Sequence, residues 1–130
     1  MNRSIPAALS VLALTGALAL AASAQAHQSA SSNGATVTVH VLPDDAPAAG
    51  RPATVKVVRV AVPKRARFSY RSVRIRVTDS SGRTVANRAG SRSARLTFPR
   101  AGAYQITVSG RYSRSGKKRS FTTRFAVRAS

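Results

Sequence analysis

Residues 96–110 read L-T-F-P-R-A-G-A-Y-Q-I-T-V-S-G. Leu96 and Phe98 alternate with polar neighbours, the period of a half-buried strand. Pro99 ends that strand because it has no N–H to give to a ladder. Gly102 then lets the chain turn, and Tyr104, Ile106 and Val108 resume the alternation. Two strands joined by a short Pro/Gly connection are the unit from which the rest of the chain can be read.

The same cadence recurs on both sides. Upstream, Val37, Val39 and Val41 alternate with Thr36, Thr38 and His40, and 43–52 (P-D-D-A-P-A-A-G-R-P) is a loop. A longer strand covers 53–62. Its apolar phase slips between Val57 and Val58, which fits either a β-bulge or a strand apolar on both faces. The basic segment 63–71 (P-K-R-A-R-F-S-Y-R) reads as a loop. Val73, Ile75 and Val77 then point inward, with Arg74, Arg76 and Thr78 outward, before the turn D-S-S-G at 79–82. A short return strand surrounds Val85, and Ala94 opens the strand that Leu96 and Phe98 continue. Downstream, 111–119 (R-Y-S-R-S-G-K-K-R) reads as a hairpin connection. Phe121, Thr123, Phe125 and Val127 form the last strand, with Arg124 and Arg128 on its outer face. About seven short strands, regular turn signals and no helical periodicity predict an all-β, single antiparallel two-sheet sandwich over 36–130. Val, Ile, Leu and Phe supply only 21 of residues 27–130, close to the level at which a highly charged chain fails to fold. The strict period of two argues that this one does fold.

The first 26 residues read differently. Met1-Asn2-Arg3 carries one positive charge, Ala7 to Ala22 is an uncharged apolar run, and A-S-A-Q-A follows. Those three parts make a secretory signal peptide, with cleavage expected after Ala26 or after Ala24. The run of 16 residues is short of the ~20 needed to span a bilayer as a helix, and no later stretch is long and apolar enough. Residues 27–35 (H-Q-S-A-S-S-N-G-A) are small and polar, and read as a flexible arm. There is no cysteine to pair, to ligate a metal or to carry a lipid. Export without disulfides points to a bacterial envelope, with the product outside the cell, in a periplasm or at the surface.

The stretch V-R-I-R-V-T-D-S-S-G-R-T-V followed by L-T-F-P-R-A-G-A-Y-Q-I-T-V resembles bacterial extracytoplasmic immunoglobulin-like (Ig-like) modules. Polycystic-kidney-disease repeats and YtkA-like domains share the order strand, D-x-x-G turn, strand, G-x-Y, strand. The likeness covers residues 72–127. It implies a Tyr104 hydroxyl bonded back to upstream backbone, with Gly102 turning the corner and Ile106 at the core position often occupied by cysteine. These modules mostly bind or space, so the resemblance implies no catalytic residue. The chain also resembles, more loosely, CopC-type copper carriers, small exported sandwiches whose mature chain starts with His. Cleavage after Ala26 would leave His27 as the new terminus, its α-amine and imidazole able to chelate one Cu(II). Cleavage after Ala24 would leave Gln25-Ala26-His27, which also suits square-planar Cu(II) or Ni(II).

Charge restricts function further. Twenty-two Lys and Arg stand against Asp44, Asp45 and Asp79, and there is no Glu. Loss of Arg3 with a leader leaves 21 basic residues against three acids, a net charge of +18. Arg exceeds Lys by 18 to 4, a bias that a GC-rich genome also produces. Hydrolysis by paired carboxylates lacks its separated pair, since Asp44 and Asp45 are adjacent. A serine triad needs a base held by an acid, and His40 and Asp79 could meet only by chance. G-x-S-x-G, phosphate-loop and H-E-x-x-H motifs are missing as well. The expectation is therefore a non-enzymatic module without a cofactor, the alternative being Cu(II) at His27.

The expected anion-binding residues are Arg74, Arg76, Arg124 and Arg128 on one sheet, extended by Arg111, Arg114, Lys117, Lys118 and Arg119 in the hairpin. Arg83 and Arg88 are expected away from that sheet. Tyr112 is placed to stack on a base, but export disfavours nucleic acid as the natural partner. Wall polymers, acidic polysaccharide, anionic lipid headgroups or an unknown protein remain as partners.

Overall fold

The computed structural model describes residues 27–43 and 45–130. The expected signal peptide and Asp44 lie outside the described residues. Nine strands form among them: β1 (Gln28–Ser32), β2 (Ala35–Leu42), β3 (Pro52–Ala61), β4 (Arg67–Phe68), β5 (Arg74–Asp79), β6 (Thr84–Ala89), β7 (Ser93–Thr97), β8 (Gly102–Arg114) and β9 (Lys117–Ala129). One 3-10 turn, Tyr70–Ser72, lies between β4 and β5. No described helix is long and apolar enough to cross a membrane.

Every pairing is antiparallel, in two sheets. The first has the order β1-β2-β3-β7. In the second, β9 pairs with β8 along its whole length, while β5 and then β4 line the other edge of β8, with β6 outside β5. Burial alternates strictly along β2 and along β9 from Phe121, so each sheet turns one apolar face inward. Val37, Val39, Val55 and Val57 from one sheet meet Ile75, Val77, Ile106, Val108 and Phe121 from the other, all essentially inaccessible to solvent. Valine dominates because a branched side chain packs well on a pleated surface.

The phase slip in the second long strand is a bulge. Thr38 pairs with Arg59 and Val39 with Val57, which leaves Val58 without a partner on β2. The Arg92 side chain donates from Nη2 to the Val58 carbonyl at 3.0 Å and lies 4.5 Å above the Tyr70 ring. The corner reading also holds. The Tyr104 hydroxyl donates to the Arg100 carbonyl at 2.7 Å and accepts the Arg100 N–H at 3.1 Å. Gly102 just before it has φ +138°, a conformation a side chain would strain.

Three expectations need correction. Residues 28–32 are not a loose arm but an edge strand paired in register with β2. Its turn is Asn33-Gly34, both at positive φ, which matches the twist of a two-residue hairpin. Hydroxyl pairs join Ser29 to Thr38 and Ser31 to Thr36. Second, the 111–119 connection is mostly strand: β8 and β9 pair as far as Arg114 and Lys117, leaving only Ser115-Gly116 to turn. Third, a short extra strand, β4, forms inside the basic segment 63–71.

β1 also closes one side of the sandwich. Gln28 donates to the Ala126 carbonyl, Asn33 donates to the Ser120 carbonyl, and Ser32 Oγ accepts the Thr122 N–H. These bonds cap the outer edge of β9, which would otherwise offer its backbone to another chain.

Candidate anion-binding face

The register decides which basic side chains share a surface. Residues paired across strands point to the same face. Arg76, Thr107 and Arg124 form one outward row; Arg74, Ser109 and Thr122 form the next. Beyond them come Arg111 beside Ser120, then Arg67, Ser113 and Lys118. At the opposite end Arg128 sits beside Ala103. Seven basic residues, Arg67, Arg74, Arg76, Arg111, Lys118, Arg124 and Arg128, thus lie on one exposed sheet face. Arg74 and Arg76 are about 7 Å apart along their strand, and Arg76 and Arg124 about 10 Å apart across two strand spacings. Arg74 is steadied by a 2.7 Å bond from Nη1 to Asn87 Oδ1.

No carboxylate among the described residues stands in register with these outward rows; Asp79 comes nearest, bordering the depression beside Arg124. Asp79 is committed to the β5–β6 turn: its Oδ1 accepts the Ser81 hydroxyl (2.7 Å) and the N–H groups of Ser81 and Arg83 (2.9 Å each). The Ser81 hydroxyl foremost, then the Arg83 N–H, hold the Asp79 carboxyl below the ordinary aspartate range. Asp45 Oδ2 lies 2.9 Å from His40 Nε2, and its Oδ1 accepts the Val41 N–H at 3.0 Å. Beside Arg124 the face dips over Ala103, Gln105 and Ala126 into an open depression of about 550 Å³ that Asp79 borders on the β5 side.

The structure sorts the expected residues. Arg74, Arg76, Arg111, Lys118, Arg124 and Arg128 are together. Arg114, Lys117 and Arg119 are not: they continue the Tyr112 side of the hairpin, on the opposite face. Arg88 is on the same sheet, on β6 opposite Ile75, and so on its other face, while Arg83 adjoins the turn. Tyr112 is unavailable for stacking. It is 5 % exposed, and its hydroxyl donates to the Asn33 carbonyl at 2.7 Å. Arg67 was not legible as a member of the face, because a two-residue strand has no period to read.

The two histidines come together. Gln28 pairs with Val39, so the next position outward sets His27 against His40, with ring centroids 4.6 Å apart. Among the described residues no group of three or more His, Cys, Asp or Glu is arranged to hold a metal ion. The opposite sheet carries fewer cations on its outer face: Lys56, Arg59 and Arg95, in register with His40, Thr38 and Thr54. No protein family matches the chain, and no curated protein or solved structure is significantly similar to it.

Proposed function

We propose that this is an exported, non-enzymatic Ig-like module that binds anionic polymers of the cell envelope through the outer face of the β9-β8-β5 sheet. The observation that carries the reading is seven basic side chains on one face, with no described carboxylate in register with them and Asp79 only at the border. Genome composition accounts for many arginines but not for their segregation from carboxylates. A field of one sign raises the local concentration of a polyanion and speeds its encounter.

One observation favours a second reading, copper handling. His27 and His40, far apart in sequence, supply two neighbouring imidazoles, with the Asp45 carboxylate on His40. The His27 α-amine would add a donor after cleavage at Ala26.

Binding to immobilised dextran sulfate, measured against salt, tests the first reading. Affinity falls steeply with salt, because each neutralised charge releases a counterion. Arg124→Glu with Arg128→Glu weakens binding about tenfold more than Arg59→Glu with Arg95→Glu, which changes net charge equally on the other sheet. Equal losses would leave only bulk charge. Loss of neither, with one equivalent of Cu(II) taken up and released by His40→Gln, would favour the second reading.

A further inference from the structure

The charge is divided along the molecule as well as between faces. Both described carboxylates lie at one end: Asp45 in the β2–β3 loop and Asp79 in the β5–β6 turn. At the other end, the β3–β4 loop meets the β8–β9 hairpin tip, because Arg67 pairs with Ser113. Nine residue steps along β8 separate Tyr104, the partner of Asp79, from Ser113. At ~3.4 Å per residue that is about 30 Å, some three to four screening lengths at physiological salt. The described carboxylates therefore do nothing to neutralise Lys64, Arg65, Arg67, Arg114, Lys117 and Arg119.

Between the loop and the tip is a depression of about 400 Å³ lined by Arg65, Arg67, Ser113, Ser115 and Gly116. Two arginines and two serines border one space, and no carboxylate is among its lining residues. The Ser115 and Gly116 N–H groups lie outside the β8–β9 ladder, at φ +53° and +77°. Consecutive N–H groups in such a turn make an anion-binding concavity. Arg65 itself is held at φ +67°, a conformation unusual for arginine that sets its side chain at this loop. Guanidinium forks match tetrahedral phosphate oxygens in pairs.

We propose that this depression binds the phosphate groups of a phosphodiester polymer, with Arg65 and Arg67 as the paired donors and the hairpin turn as the second wall. The proposal rests on the polyanion reading above and adds a place and a chemistry to it. A polymer is favoured over a lipid surface because the tip has nothing to insert into a bilayer. From Arg111 to Ser120 the one large apolar side chain is Tyr112, which is buried.

The test compares a glycerol-phosphate oligomer, polyglutamate of matched charge and phosphatidylglycerol vesicles. The protein is expected to prefer the oligomer over polyglutamate by about tenfold, the scale of a charge-assisted hydrogen-bonded pair. Arg65→Gln with Arg67→Gln should erase that preference. Arg124→Gln with Arg128→Gln should lower affinity for both polymers alike, keeping it. In wild-type protein, amide resonances of Ser115 and Gly116 should move most as oligomer is added, a readout independent of any variant's folding. Equal affinity for the two polymers would overturn the phosphate site and leave the polyanion reading standing. So would shifts confined to β5 and to β9 beyond Ser120. Tighter binding to vesicles than to oligomer at equal phosphate would overturn the polymer in favour of a lipid surface. Binding to none of the three would overturn both readings.

Discussion

Gly110 is the position where one added carbon should be felt most. It pairs across strands with Phe121, whose ring lies over it. A Cβ at Gly110 would stand 2.6 Å from Phe121 Cζ and 3.1 and 3.3 Å from the two Cε atoms. Carbon atoms prefer about 3.5–4.0 Å, so the ring would have to move by about 1 Å. It has little room: Phe121 is 1 % exposed, and the Phe68 ring is 6.2 Å away between centroids. Overpacking of this kind costs roughly 1–3 kcal/mol. Against that, replacing Gly with Ala in extended backbone recovers about 0.4–1 kcal/mol of chain entropy. Gly110→Ala should therefore destabilise by a net ~1–2 kcal/mol, which lowers Tm by roughly 4–12 °C in a domain of this size. Thermal melts followed by circular dichroism measure it. The same change made in a Phe121→Leu background should cost less, because the two side chains couple directly. An unchanged or raised Tm for Gly110→Ala would refute the placement of the ring, since the entropy gain would then be acting alone.

Tyr104→Phe removes a hydroxyl that both donates to and accepts from Arg100, and should cost about 1–2 kcal/mol. Ile106→Ala, at a fully buried site, should cost roughly 2–5 kcal/mol, so denaturation midpoints should rank the two in that order. Asp79 has a lowered pKa in the folded state, so its contribution is complete above the ordinary aspartate value, about 4, and is lost as pH falls through the lowered one. Tm measured from pH 6 down to pH 2 should therefore fall less steeply for Asp79→Asn than for wild type, and parallel curves would count against the turn as the acid-sensitive element.

Period-two alternation made most of this fold readable. Val37-Val39-Val41 and Phe121-Thr123-Phe125-Val127 announce their inward faces because one face of each strand is apolar and the other is not. G-x-Y before Ile106 announced the corner, because few other local sequences put a tyrosine hydroxyl back onto its own upstream backbone. β1 stayed hidden for the opposite reason. Gln28 to Ser32 is polar on both faces, and its stability comes from backbone pairing and from hydroxyl and amide bonds to strands 5 to 98 residues away. Asn33-Gly34 was a hairpin signal in the sequence, but without flanking apolar alternation it read as loop.

What the sequence determined by itself is the balance of charge, the lack of cysteine and the all-β pattern, since each is a sum or a period over local residues. Which cations act together was decided only by tertiary structure. Arg67 joins Lys118 through the β4–β8–β9 register, Arg114 and Lys117 leave the face because the hairpin is tighter than its composition implies, and Tyr112 turns inward onto Asn33. His27 meets His40 for the same reason. A strand's period says which side chains share a face, but only pairing with strands distant in sequence says which faces adjoin.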